Sequence, residues 1–232
     1  MDRSSPRRPA HHTAARFASI ARRYDLTNTV LSGGLHHRWK QQAVAAALLR
    51  PGDRVLDAGT GTGDLARLAV KAGAAVVGVD VSLEMLAVAQ SRLNRPRVAW
   101  AGADVAQLPF RAATFDVVLT GFTLRHPTSL EDTLKELGRV LVPGGRLIIL
   151  EFARPVQPLV HAVYRAYSGL IPTIGGWLTG DADAYAYLVE SIRRFPGQAL
   201  LAGKLSEAGF ERVAYRNLTG GIVAIHSAVR PR

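Results

Sequence analysis

The stretch VLDAGTGTGDL, from Val55 to Leu65, limits the folds open to this chain more than any other. An apolar run ends in Asp57, and glycines follow at alternate positions, Gly59, Gly61 and Gly63. Without Cβ atoms the loop lets a ligand approach the backbone, and a helix start behind it offers free amides. Strand, glycine loop and helix in this order make a nucleotide-type site. A phosphate, a dinucleotide or another adenosine compound suits so bare a backbone.

The surrounding sequence repeats the alternation. DRVLDAG, AAVVGVD, RVAWAGAD, FDVVLTG and RLIILEF read as strands. Between them, DLARLAVKAG reads as a helix stopped at Gly73, and SLEMLAVAQSRL as a helix capped by Ser82. TSLEDTLKELGRVL puts Leu130, Leu134, Leu137 and Leu141 on one face, with Thr128 and Glu131 as a capping box. PGG reads as a turn. Alternation of this kind predicts a Rossmann-like α/β fold: a mostly parallel sheet with helices on both faces. FERVAYRNL and GIVAIHSAV flank TGG and add an antiparallel C-terminal hairpin at the sheet edge, giving seven strands.

One domain accounts for residues 16–232. Residues 1–15 read as a basic arm without the apolar core of a secretion signal. Residues 16–50 form an N-terminal helical segment, and residues 153–198 an insertion with two proline/glycine breaks. The 232 residues include no cysteine, which removes disulfides and thiolate metal sites. The adjacent pairs His11-His12 and His36-His37 point to different faces of an element, so no metal site is expected. No apolar run approaches the ~20 residues of a spanning helix. The net charge of +11 suits an anionic membrane surface better than nucleic acid, since no aromatic residues interleave with the arginines of the arm.

The loop spacing narrows its ligand. A dinucleotide fingerprint needs a third glycine three residues after the second, and Asp64 stands there. A carboxylate at the helix start competes with a pyrophosphate for the same amides, and no Gly-Lys-Ser/Thr follows for a P-loop. A ligand with adenosine and an amino acid but no phosphate fits, and S-adenosyl-L-methionine is such a ligand. Its ammonium favours the carboxylate of Asp57 or Asp64, and its carboxylate favours the amides around Gly61, Thr62 and Gly63. Asp80 ends the second strand about twenty residues after the first glycine, where an acid bonds ribose hydroxyls. Asp104 ends the third strand, where it and Val105 reach the adenine. Each aspartate also has a plainer reading as a loop or helix cap.

Beyond the loop, the chain resembles the ubiquinone/menaquinone biosynthesis methyltransferases from about Phe17 to the C-terminus. YDLTNTVLSGGLHHRW matches an N-terminal signature at Tyr24, Asp25, Asn28, Ser32, His36 and Trp39, with Thr27 where methionine is usual. RVLVPGGRLIILEFA matches a second signature, with Val142 for lysine and Ala153 for serine. GDADAYAYLVESIRRFP and NLTGGIVAIH also look like family segments. After the fourth strand the family's Ser-Phe-Gly-Leu-Arg-Asn is here Gly121-Phe122-Thr123-Leu124-Arg125-His126.

The resemblance implies a class I methyltransferase that uses S-adenosyl-L-methionine to methylate a ring carbon of a polyprenylated quinol, with demethylmenaquinol the leading acceptor. It implies that Gly121 lies beside the cofactor and that Arg125 acts on the quinol oxygen. His126 has the intrinsic pKa of a base, and Tyr24 orients the ring. His36 reads as a packing or capping residue. The 153–198 insertion is a lid over the ring and the start of the prenyl tail. Such a substrate implies contact with a membrane surface from the cytoplasmic side, and a homodimer is compatible with the sequence. Competing readings are a methyltransferase for another small aromatic or lipid acceptor, an RNA methyltransferase, and a binding module that has lost catalysis. An RNA enzyme usually carries an Asn-Pro-Pro-Tyr-like tetrad where this chain has TGFTLR. The intact loop, Asp80 and Arg125 speak against lost catalysis.

Overall fold

The structure, a computed structural model, describes residues 28–126, 129–179 and 182–232. The basic arm and Tyr24 lie outside these residues. A seven-stranded sheet runs in the order β3-β2-β1-β4-β5-β7-β6. Its strands are β1 (Arg54–Ala58), β2 (Ala75–Asp80), β3 (Val98–Gly102), β4 (Phe115–Gly121), β5 (Leu141–Phe152), β6 (Glu211–Leu218) and β7 (Val223–Val229). The first five pair in parallel, and β7 lies antiparallel between β5 and β6. The expected fold and hairpin are both present, with β6 as the edge strand.

The central strands are apolar on both sides because helices cover both faces. Leu56, Val118, Leu147 and Ile149 pack on one side with Leu134 and Leu137 of α4 (Leu130–Val140) and Leu201 and Leu205 of α7 (Gln198–Glu207). Alternate residues Val55, Val117, Ile148 and Leu150 pack on the other side. Their partners are Trp39 and Ala43 of α1 (Leu35–Ala46) and Leu65 and Ala69 of α2 (Asp64–Lys71). α3 (Leu83–Arg92) follows β2, and its expected cap is present: the Ser82 hydroxyl accepts from the Met85 amide at 3.3 Å.

Four local expectations change. Ser129 caps α4, accepting from the Asp132 amide at 3.1 Å, and Thr128 lies outside the described residues. Leu141 leaves the helix for extended backbone and pairs with Phe115, and Pro143 biases the next residue, Val142, away from helix as well. Leu141 still reaches the same core as Leu134 and Leu137. Pro143-Gly144-Gly145 is an irregularity inside β5, where the register with β4 shifts, rather than a turn before it. Asp104 stands two residues past the end of β3.

The insertion forms α5 (Pro158–Thr179) and α6 (Ala182–Arg194). Pro172 lies inside α5 and does not break it. Tertiary contact offsets the lost backbone bond. Ile171 of α5 packs with Tyr185 and Val189 of α6, and Tyr167 with Leu31 of the N-terminal segment. The Tyr167 hydroxyl also donates to the Leu31 carbonyl. The pair therefore leans over the carboxyl ends of the parallel strands, where open α/β sheets bind ligands. Among the described residues, no helix is long and apolar enough to cross a membrane.

Candidate active site

A cavity of about 600 Å³ opens at those carboxyl ends. Loop residues Gly59, Gly61 and Thr62, the acids Asp64, Asp80 and Asp104, and Val105, Gly121, Arg125 and His126 all line it. The sequence pointed to each of these residues, though not to much of the rest of the wall. Asp57 and Gly63 do not line it.

Asp57 is fully buried beneath the loop. One oxygen accepts from the Thr60 hydroxyl at 2.6 Å and the Ala66 amide at 2.9 Å. The carboxylate therefore ties the loop to the first turn of α2, which is the plainer of its two readings. Burial outweighs these bonds and raises its pKa to about 6. Gly63 is a packing residue, since an added Cβ would sit 3.1 Å from both Ala89 and the Trp100 ring. The loop needs all three glycines, because Gly59, Gly61 and Gly63 have positive φ.

Asp80 braces the same loop from β2. One oxygen accepts from the Gly61 amide and the other from the Ser82 amide, both at 2.9 Å. Burial still raises its pKa. Asp104 caps a turn, accepting from the Ala106 amide at 2.9 Å, while lining the cavity. Asp64 opens α2 and pairs with Lys40 of α1 at 2.7 Å. Burial pushes its carboxyl up, but Lys40 outweighs that and holds it below the ordinary value. The Lys40–Asp64 pair presents both signs of charge at the wall, and nothing in the loop motif pointed to Lys40.

His36 is buried, 3.0 Å from the Thr29 hydroxyl, and packs as expected. Its ring does not diverge from that of His37, and the centroids are 3.8 Å apart. With Asp64 these histidines bring three potential ligating groups within 4.8 Å of one another. Lys40, already on Asp64, places an ammonium in the same cluster.

The segment after β4 forms the opposite wall. The Thr123 hydroxyl is 3.2 Å from the Gly59 carbonyl, so this wall rests directly on the glycine loop. Phe122 adopts φ of +59°, an uncommon conformation for an aromatic residue, and its ring packs on Phe152 at 4.8 Å. Arg125 pairs with Glu151 of β5 at 2.7 Å, with side chains 2% and 1% exposed. Glu151 also accepts from the Phe152 amide at 2.9 Å. Burial raises its pKa against the pull of Arg125. No sequence signal marks this partner, because a lone glutamate in RLIILEF reads as the polar end of a strand.

His126 is half-buried and does not face open solvent. Its ring stacks on Tyr187 of α6, 5.8 Å between centroids, with Nδ1 3.4 Å from the tyrosine hydroxyl. Burial and then the Arg125 charge hold its pKa well below the ordinary value, so the imidazole is neutral at neutral pH. Tyr164, Tyr167 and Tyr187 complete an aromatic roof from α5 and α6.

The volume, the bare loop, the acids Asp64, Asp80 and Asp104 and the aromatic roof fit an adenosyl amino acid with room for a flat second ligand. The family model of the ubiE/COQ5 methyltransferases matches residues 8–230. The ubiquinone/menaquinone biosynthesis C-methyltransferase UbiE of Ectopseudomonas mendocina is 47% identical over 230 residues, 96% of this chain and 90% of its own length. That of Azotobacter vinelandii is 46% identical over 231 residues, 96% and 91%. Among solved structures, a SAM-dependent methyltransferase of Thermotoga maritima aligns with a TM-score of 0.68 at 21% identity, over 94% of this chain and all of its own. Phosphoethanolamine N-methyltransferase 2 of Haemonchus contortus, in complex with S-adenosyl-L-methionine, aligns with a TM-score of 0.62 at 20% identity, over 82% and 52%. At such identities the solved structures establish the fold alone.

The buried carboxylate gives a testable signature. Its folded pKa of about 6 exceeds the unfolded value of about 4. Between these values the folded chain keeps a proton that the unfolded chain releases. The group therefore favours folding below pH ~4, and that contribution falls by about 3 kcal/mol as pH rises to ~6. Carbon-13 NMR of the Asp57 carboxyl should show a midpoint near 6 that vanishes in Asp57→Asn. A midpoint near 4 would contradict the assignment.

Proposed function

The chain belongs to the ubiE/COQ5 methyltransferase family, and from that premise we propose that it methylates a ring carbon of a polyprenylated naphthoquinol, converting demethylmenaquinol to menaquinol. It is an S-adenosylmethionine-dependent C-methyltransferase of ubiquinone/menaquinone biosynthesis. The observation that carries the reading is Arg125. A buried guanidinium faces an aromatic-roofed cavity whose far wall is the glycine loop.

Bound S-adenosylmethionine supplies an electrophilic methyl group. The chain would hold it with the amides of Gly59 and Thr62, with Asp80 toward the ribose and with Asp104 and Val105 toward the adenine. Gly121 lines the same wall, its bare Cα packed against Leu65. Lys40 and Asp64 match the amino-acid end, one for each charge. Asp57 and Gly63 act from beneath by shaping the loop.

A quinol carbon becomes nucleophilic as its hydroxyl loses a proton. Arg125 is a permanent cation and stabilises the developing phenolate rather than accepting the proton. His126 is neutral, lies beside Arg125 and takes the proton. Tyr187 holds the imidazole in place. α5 and α6 exclude water from the ring, and Tyr24 is retained as a ring-orienting residue on the resemblance alone.

The outer surface of α5 supports contact with a bilayer. Leu159, Val163, Ala166, Leu170, Thr173 and Trp177 fall on one stripe of the helix and are exposed, Trp177 by 86%. An exposed apolar stripe that ends in a tryptophan suits the boundary between acyl chains and headgroups, and the net charge of +11 suits anionic ones. The enzyme then works as a peripheral protein at the cytoplasmic face, with or without a second copy.

Purified protein, given S-adenosylmethionine with a trideuterated methyl group and a short-chain demethylnaphthoquinol, should yield product labelled on the ring carbon. Label on oxygen, or no transfer, would overturn the reading. In the same assay His126→Ala should lose on the order of 10²-fold in turnover with cofactor affinity retained. The wild-type rate should fall as acid protonates His126, with an inflection below pH ~6.5 that the variant lacks. An unchanged pH profile would remove His126 as the base.

Binding to anionic vesicles should weaken with salt, since exposed charges are screened over about 8 Å at physiological ionic strength. Trp177→Ala should weaken it further. Equal binding of both proteins to neutral and anionic vesicles would exclude this face.

A further inference from the structure

We propose that Glu151 is a positioning residue that cancels the charge of Arg125, so that a sulfonium cation and a guanidinium can share one cavity. The inference rests on the reading that Arg125 faces the reacting centre. Among the described residues, the cations lining the cavity, the histidines apart, are Lys40 and Arg125. Each is met by a carboxylate at 2.7 Å, Asp64 for Lys40 and Glu151 for Arg125. Glu151 does not line the cavity. It sits behind the guanidinium at the end of β5, nearly free of solvent, and acts only through its partner.

The pair does two things. It fixes Arg125, which otherwise sits on a loop, to the end of β5, an interior strand of the sheet. Arg125 Nη1 donates to Glu151 Oε1, and the guanidinium carbon lies 5.2 Å from the centre of the Phe152 ring. Arg125 is thereby held from the strand and from the aromatic residue that follows it. The pair also sets the electrostatics. A guanidinium keeps its proton at any physiological pH. Uncompensated, it would repel the sulfonium of the methyl donor across a partly desolvated cavity. With Glu151 it is a dipole, able to donate hydrogen bonds to a quinol oxygen without opposing entry of a cation. The remaining acids at the wall, Asp80 and Asp104, then leave the cavity suited to a positive ligand.

This role separates from a purely structural one by comparing two ligands that differ by one charge. S-adenosylmethionine carries the sulfonium, and S-adenosylhomocysteine carries a neutral thioether in nearly the same shape. Both affinities are measured by titration calorimetry on the full chain, wild type and Glu151→Gln. Glutamine keeps the shape and an acceptor oxygen but removes the charge. The expected result is a loss on the order of tenfold in affinity for S-adenosylmethionine relative to S-adenosylhomocysteine, the scale of one uncompensated charge in such surroundings. The double variant Arg125→Met/Glu151→Leu removes cation and counterion together and should return the ratio to the wild-type value, although turnover is lost. Equal weakening of both ligands, or an unchanged ratio in a folded Glu151→Gln, would overturn the proposal. Should the glutamine variant fail to fold, a shifted ratio in the double variant would overturn it and a wild-type ratio would support it. Failure of wild type to bind either ligand would instead defeat the cofactor assignment.

Discussion

A carboxylate with no exposure organises this molecule. Asp57 sits at the end of the central strand β1 and ties Thr60 in the loop to Ala66 in α2. Three glycines with positive φ have little conformational preference of their own, so the loop needs an external brace. Asp57 supplies it from below and Asp80 from the side, through the Gly61 amide. The cost is a buried acid whose pKa stands near 6, a strain of the kind found where the backbone must be held ready for a ligand.

The rest of the cavity is built onto that brace. The segment after β4 rests on the loop through Thr123, whose side chain occupies the space where Gly59 lacks a Cβ. The same segment is anchored to β5 through Arg125 and Glu151. The wall proposed to hold the methyl donor and the wall proposed to act on the acceptor are therefore mechanically linked through one short run, Gly121 to His126. Methyl transfer in line needs such a linkage, because small errors in alignment are costly. α5 and α6 close the third side, with Tyr187 bringing the lid into contact with His126.

The sequence carried the fold because its signals are local and mutually consistent: short valine-rich strands, capped amphipathic helices, and glycines where φ is positive. The part of the cavity wall formed by the loop and the strand ends was legible for the same reason, since it follows from topology. What it did not carry is pairing between elements distant in sequence. Glu151 and Lys40 acquire meaning only when β5 lies beside β4 and α1 beside α2. Asp57 was misread as facing the ligand because the motif fixes its place on the strand but not which side of the loop it supports. The rings of His36 and His37 meet because the packed start of α1 turns them together. Pro172 stays helical through contacts with α6 that no local rule contains.

This cavity is proposed to serve one carbon methylation in quinone synthesis. Quinones extracted from cells lacking the protein and resolved by mass should then show accumulated demethylmenaquinone, one methyl group lighter than menaquinone, with the normal species restored by the wild-type chain and not by Arg125→Lys. An unaltered quinone profile, or loss of a methyl group from a different class of lipid, would contradict it.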